Sequence, residues 1–555
     1  MTSPTATSST AVKGAGLVLL TLASAQFLMT LDTSVMNVSI ATVAVDVGST
    51  VTGIQLAITM YTLVMAALMI TGGKIGQIIG RKRAFAIGCI IYGSGSFVTG
   101  IAQSLPVLIL GWSFLEGVGA ALILPSIVAL VASNFGKPER PRAYGLMAAA
   151  GAAAVATGPL IGGLCTTYLT WRVVFFGEVV MVLAILVLVR RMSGSPADPT
   201  VRLDIVGTLL SALGLGLVVY AILQSGSWGL LKPRVGQPEW FGLSPVVWLL
   251  LGGGVVLHLF LGWQRMRQST GRAALLDPAL LSIRPLRGGL LAFFFQFMIQ
   301  AGLFFTVPLF LSVALGLSAV ATGVRLVPLS IAMLLTAIGV PRLLPQASPR
   351  RMTRLGLVLM LAGIVVFMAA LEVGAGPTII TWPMILVGLG IGMLASQLGA
   401  VTVSSAPDEA SGEVGALQNT VANLGSSIGT ALAGAVLIAA LTTSFLSGIS
   451  SNPDVPPDVA SSAQVQLSSG VPFVSDAQLE TALTDAGVKP TTAAAITEEN
   501  TRARIDALRQ ALAVLAIAAL LGLFLTRGVP IEPTGAQPAA DASGASPGQG
   551  AARSS

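Results

Sequence analysis

Apolar runs of about twenty residues recur along the whole chain, separated by short polar links that carry most of its Lys and Arg. A helix needs about 20 apolar residues to cross the hydrocarbon of a bilayer. Fourteen stretches qualify, at about 15–42, 52–72, 84–103, 106–131, 143–166, 172–190, 204–225, 243–263, 288–312, 320–341, 354–373, 377–404, 416–446 and 507–526. None shows the alternating ten-residue pattern of a membrane β-barrel. The pattern predicts an all-α polytopic membrane protein with 14 transmembrane helices. Lys13 and Ala23-Ser24-Ala25 resemble a cleavable leader, but the apolar run continues through Phe27, Leu28 and Met29, so the first span is read as retained.

Composition narrows this reading. Hydrophobic residues make up 54 % of the 555 positions and charged ones only 10 %, at a mean hydropathy of +0.86. Soluble domains carry roughly 25 % charged residues, so a water-facing globular chain is excluded. Cys89 and Cys165 are the only cysteines and both lie in apolar runs, which leaves no disulfide framework. The net charge of +7 is read as loop charge, and nucleic acid is excluded as a partner. With the N-terminus inside, 22 of the 30 Lys and Arg fall on the cytoplasmic side, so both termini face the cytoplasm. Outside the spans lie a cytoplasmic tail (1–14), a basic connector (264–287), a long outer loop with short helices (447–506) and a disordered, low-complexity tail (527–555).

Chemistry is sparse. The nearest approach to a phosphate-binding loop, Gly72-Gly73-Lys74-Ile75, lacks the spacing and the hydroxyl residue. There is no His-Glu-x-x-His, no Cys-x-x-Cys, no metal-ligand cluster and one histidine, His258, so no enzyme, cofactor or metal is expected. A gradient-driven carrier needs only a few ionisable groups within the bilayer. A carboxylate at mid-membrane costs about 2.5–3.5 kcal/mol even on lenient scales, which makes each one a functional candidate. Asp32 lies in the first span, Glu116 in the fourth and Glu178 in the sixth, with no Lys or Arg deep in the first six. They are read as proton-coupling groups; the alternative is a buried acid hydrogen-bonded to Ser, Thr or backbone. Glu372, Asp408, Glu409 and Glu413 fall near the membrane surface.

Several strings together resemble the major facilitator superfamily, specifically its 14-helix drug:proton antiporter branch (QacA/EmrB-like). The first span carries Leu31-Asp32-Thr33-Ser34-Val35-Met36-Asn37-Val38. The loop after the second reads Gly73-Lys74-Ile75-Gly76-Gln77-Ile78-Ile79-Gly80-Arg81-Lys82-Arg83. The fifth carries Gly158-Pro159-Leu160-Ile161-Gly162-Gly163, followed by Trp171-Arg172-Val173-Val174-Phe175-Phe176. Gly316-Leu317-Ser318, Gly323, Pro328, Asn419-Thr420, Gly425 and Gly429 continue the likeness in the second half. Two departures stand out. Gln77 and Ile78 replace the acid and arginine of the family's loop motif, and Ser113 with Glu116-Gly117 stands where the fourth helix normally carries an arginine before Gln-Gly. Ala422 and Asn423 replace a further Arg-Gln pair.

The resemblance implies a major facilitator fold: six-helix bundles over 15–192 and 288–526, with two helices inserted in 193–287. It also implies a central cavity lined by spans one, four, nine and twelve, through Met29, Asp32, Trp112, Ser113, Glu116, Phe294, Gln296, Gln300, Met393 and Gln397. The conformational motifs are Gly73, Gln77, Gly80, Arg81 and Lys82 in the loop, and Gly158, Pro159, Gly162 and Gly163 in span five. The function implied is proton-coupled efflux of hydrophobic drugs or antibiotics by a monomer in the plasma membrane, partnered only by substrate, protons and lipid. Loss of a cation and gain of an acid in the first bundle point to cationic substrates and to proton carriage shared by Asp32 and Glu116. Arg outnumbers Lys 24 to 6 amid abundant Ala and Gly, which fits a GC-rich actinobacterial genome. Alternatives are export of an endogenous metabolite, lipid or self-made antibiotic, or a membrane-embedded enzyme or sensor.

Overall fold

The computed structural model describes residues 12–135, 140–192, 197, 202–234, 236–344, 346–406, 411–467, 471 and 473–531. The chain opens with three long helices, α1 (Val12–Asp46), α2 (Val51–Ile79) and α3 (Arg81–Gly100). Helix α4 is composite: Leu105–Leu108, a π-helical stretch Ile109–Glu116, then Gly117–Asn134. Next come α5 (Arg140–Tyr168), α6 (Arg172–Val189), α7 (Ile205–Trp228) and α8 (Pro245–Ser269). The second half begins with α9 (Arg284–Leu309), α10 (Ala319–Leu343), α11 (Pro349–Ala370), α12 (Thr381–Ser404) and α13 (Ser411–Ser451). Two short helices, α14 (Pro457–Gln466) and α15 (Asp476–Asp485), precede the last long one, α16 (Pro490–Leu525).

Among the described residues, 13 helices are long and apolar enough to cross a membrane. The remaining long helix, α3, begins Arg-Lys-Arg and carries four glycines, which lowers its hydropathy. It packs against α4 and α6 and is the fourteenth span of the sequence reading. Within a bilayer every backbone polar group must be satisfied internally, so a bundle of helices is the available solution.

Two boundaries differ from the expectation. Helix α1 already begins at Val12, and within 447–506 the expected loop with short helices is narrowed at both ends, because α13 runs on to Ser451 and α16 begins at Pro490. The stretch before residue 507 is rich in Ala, Glu and Arg, strong helix formers, with Pro490 in the first turn where its missing N–H is harmless. Helix α16 therefore starts 17 residues earlier than hydropathy indicates. Residues 1–11 and 532–555 lie outside the described residues; of the tail read as disordered (527–555), residues 527–531 are described, beginning with the end of the turn Thr526–Gly528.

Packing places two seams between the halves, α2 against α13 and α5 against α10, while α1 lies along α5 and α9 along α13. Helix α7 sits on α2 and α13 and carries α8 on its outer side. In α7 and α8 the most apolar windows are only 28 % and 17 % buried, the low end for this bundle, as suits a lipid-facing pair. Asp204 caps α7 through Gly207 N and also accepts from Trp263 Nε1 at 3.0 Å and Gln264 Nε2 at 2.8 Å on α8. That buried acid, unremarked in the sequence, is structural: it staples the pair together.

Candidate functional site

At the middle of the first half, Asp32 on α1, Glu116 on α4 and Glu178 on α6 converge. One carboxylate oxygen from each lies within 4.8 Å of the others, and their exposures are 0, 0 and 1 %. Trp112 Nε1 donates to both Asp32 oxygens, at 2.8 and 2.9 Å. Ser96 Oγ donates to Glu178 Oε2 at 3.1 Å and Thr99 Oγ1 to Glu116 Oε1 at 3.3 Å. Tyr92 OH stands 3.5 Å from Glu178 Oε2. Glu116 Oε2 and Glu178 Oε1 have no partner, nor does the hydroxyl of Tyr61, which is turned toward Asp32. Among the described residues no Lys, Arg or His is bonded to the trio.

Local structure explains the convergence. A π-helical turn holds more residues than an α turn and recurs at functional sites. Over Ile109–Glu116 it turns Trp112, Ser113 and Glu116 all into the bundle, where each is at most 1 % exposed. Trp112 stacks on Tyr61 with ring centroids 5.1 Å apart and planes 8° from parallel, and Ser113 Oγ donates to Ala57 O at 2.8 Å. Gly95 and Gly111 let α3 and α4 approach closely beside Glu116: a methyl group on Gly95 would lie 2.6 Å from Glu116 Cγ. At the end of the bundle opposite the start of α1, Arg172 clamps the three acid-bearing helices. It pairs with Asp46 at the end of α1 and donates to Ala102 O, between α3 and α4, at 2.6 Å.

Beside this cluster lies a separate cavity of about 940 Å³ between the halves. Helices α1, α2, α5, α9, α10, α12 and α13 line it, and α4 contributes only Leu124. Met29, Gln296 and Gln300 are among the lining residues. Trp112, Ser113, Asp32 and Glu116 are not, because the lining face of α1 follows Gln26, Met29, Thr30, Thr33, Ser34 and Asn37, and the acids lie behind it. Phe294, Met393 and Gln397 are also outside the lining. Phe294 sits one residue, about 100° of helix, off the face carrying Phe293, Phe297 and Gln300. On α12 the lining is made by Ile391, Ala395 and Ser396; Met393 instead packs toward Gly356 of α11, and Gln397 lies one residue, about 100°, past Ser396.

The conformational motifs fall at two places. After α2, Gly80 takes φ 92°, a left-handed conformation suited to glycine, and starts α3 at once. There Arg81 Nη1 donates back to Gly73 O at 2.6 Å and Lys82 Nζ to Met192 O at 2.6 Å, while Gln77 is half-buried. On α5, Gly158 faces Ser34 and Gly162 faces Val35 of α1. Gly163 and the Pro159 carbonyl form the seam with α10: a methyl on Gly163 would lie 2.7 Å from Ala319 O, and Gly323 meets Pro159 O. Val320 N donates across this seam to Thr167 Oγ1 at 3.0 Å. Gln55 Nε2 bridges the other seam to Thr430 O at 3.2 Å. The far end is thus held shut, while Leu19, Leu146 and Arg342 carry the cavity lining toward the end where α1 begins.

The profile of the Major Facilitator Superfamily matches residues 22–430. The chain is 33 % identical over 417 residues to a puromycin resistance protein of Streptomyces alboniger, covering 74 % of this chain and 79 % of that one. It is 27 % identical over 414 residues to a probable actinorhodin transporter of Streptomyces coelicolor, covering 72 % and 68 %. In fold it resembles an inward-facing, unoccupied bacterial homologue of the lysosomal transporter Spinster, with TM-score 0.57 at 15 % identity over 93 % of this chain and 98 % of that one. With its all-helical bundle and a sequence match spanning most of its length, the chain belongs to the Major Facilitator Superfamily and is a membrane transporter rather than an enzyme.

Proposed function

We propose that the protein is a proton-driven exporter of antibiotic-type small molecules. It acts as a monomer in the plasma membrane, with both termini and the open end of the cavity toward the cytoplasm. The carrying observation is the sealed carboxyl trio. Three negative charges within 4.8 Å, away from water and from any cation bonded to them, are not sustainable, so protons occupy part of the cluster. Trp112 donates to both oxygens of Asp32, which marks Asp32 as the acceptor-only member. The unpartnered Glu116 Oε2 and Glu178 Oε1 are where protons sit. Oxygen donors at this spacing also suit a hard cation; full enclosure favours protons, which bond to a carboxylate oxygen and need neither cavity volume nor a shell of about six or more ligands.

The relatives named for puromycin resistance and actinorhodin transport support the cargo class. The seams support alternating access, in which the six-helix bundles of 15–192 and 288–526 rock about the cavity while α7 and α8 ride outside. Protons do not displace cargo from a shared carboxylate, because the acids lie behind the cavity wall; coupling runs instead through α1, which carries Asp32 on one face and lining residues on the other. The driving force is adequate, at about 2.3 kcal/mol per charge per 100 mV plus about 1.4 kcal/mol per pH unit.

Everted membrane vesicles provide the test. Energised vesicles should accumulate puromycin and a fluorescent anthraquinone, a protonophore should collapse the uptake, and Asp32→Asn at equal membrane abundance should abolish it. Uptake indifferent to the protonophore would remove the proton from the mechanism.

A further inference from the structure

We infer that the cavity selects planar aromatic cargo that is rich in O–H or N–H donors and uncharged or anionic, and that it discriminates against permanent cations. This rests on reading the protein as an exporter and names the chemistry of its cargo. It departs from the preference for cations that the extra acid of the first half suggested.

The first observation is charge. Among the described residues no Asp or Glu lines the cavity; Asp32, Glu116 and Glu178 are enclosed behind α1. Among the described residues one cation lines it, Arg342 in the last turn of α10 at the cavity's open end, with an exposed side chain and no ion pair. A quaternary ammonium ion entering here passes a like charge and finds no counter-charge in the described lining, whereas a carboxylate or phenolate meets a guanidinium able to bind it in a fork.

The second observation is the polarity of the walls, which present acceptors. Asn37 on α1 and Asn419 and Asn423 on α13 each donate their amide N–H at 2.9 Å to a carbonyl one turn back on their own helix. That leaves their Oδ1 atoms unspent. Gln296 and Gln300 on α9 also line the cavity, but their Oε1 atoms are turned away from it and fully buried, so the accessible acceptors are the asparagine oxygens. Acceptors that face the cavity without a partner are matched by a cargo that brings donors. The third observation is shape: Phe293 and Phe297 stack 6.0 Å apart at 23°, and Phe297 and Phe304 follow on the same face of α9, offering an aromatic wall to a flat ring system.

Calorimetric binding to the purified full-length protein in nanodiscs tests this without any gradient, using one scaffold with three substituents: hydroxyanthraquinone, anthraquinone carboxylate and a trimethylammonium anthraquinone. The first two should bind, and the cation at least about tenfold more weakly, the scale of one charge-assisted contact. Arg342→Gln should weaken the carboxylate about tenfold and leave the hydroxyl compound unchanged, whereas Asn419→Leu with Asn423→Leu should weaken both. Equal or tighter binding of the cation, no binding by any of the three, or variants that leave all affinities unchanged would overturn the inference. Selective binding together with protonophore-insensitive vesicle uptake would instead uphold it and count against proton coupling.

Discussion

The indole N–H of Trp112 reaches both carboxylate oxygens of Asp32, at 2.8 and 2.9 Å, from a π-helical turn that ends at Glu116. One irregular turn thus supplies the donor that fixes the first acid and also the second acid itself. The donor and its stacking on Tyr61 are separable. Trp112→Phe keeps an aromatic ring in place but leaves Asp32 without its bidentate donor. Proton-driven uptake should fall by tenfold or more, about the worth of a lost hydrogen bond to a charged group, and its rate–pH profile should move. A pure packing defect would lower the amount of protein and leave the profile where it was.

Because the trio is walled off from the cavity, the two functions should separate on mutation. Glu116→Gln and Glu178→Gln preserve size and sit away from the lining residues. Equilibrium binding of cargo in nanodiscs should stay within about twofold of wild type, while gradient-driven uptake in vesicles should be lost. Parallel loss of binding would place the acids in contact with cargo after all.

The α5–α10 seam should be breakable by a single side chain. Gly163 and Gly323 leave no room for a Cβ against Ala319, Val320 and Pro159. Val at either position should stop the far end from closing and reduce export at least about tenfold, overpacking being worth roughly 1–3 kcal/mol. A disulfide between Thr167→Cys and Val320→Cys, whose native residues are hydrogen-bonded at 3.0 Å, should form readily in the parent and poorly beside Gly163→Val.

Arg504 on α16 is 1 % exposed and ties the last long helix to the segment before α15, donating to Val474 O at 2.8 Å and to Asp476 Oδ1 at 2.5 Å. Arg504→Leu removes both contacts but leaves Asp476, which is 40 % exposed, able to meet water. The expected cost is therefore about 1–3 kcal/mol of stability, seen as a lower midpoint of thermal unfolding in detergent. Cargo affinity should be unchanged.

The spans were legible because a bilayer demands a fixed length of apolar chain, and even α3, the least apolar, kept that length. The three acids were legible singly, as groups too costly to bury without purpose. Their meeting was not, since Asp32, Glu116 and Glu178 stand on three helices and only packing sets the distance between them. Trp112 and Ser113 are expected at the cavity because the family resemblance makes span four a lining helix, and nothing in Ile109–Glu116 announces the π-helical turn that directs them into the first bundle instead. The helical start of α16 was hidden by its polarity: Glu498, Glu499 and Arg502 read as loop to a hydropathy scale although they are good helix formers. That Asp32 stays out of the cavity lining was equally invisible, because it depends on which face of α1 looks inward.

A wall between two compartments also governs what an inhibitor can do. A compound lodged among Gln296, Gln300 and Asn423 blocks the passenger seat without touching the motor on the other side of α1. Fuel and freight can then be aboard together, and raising the acidity outside will not evict such a blocker by competition. Plots of transport against cargo concentration at different external pH should therefore differ in their plateaus and share a common half-saturation point.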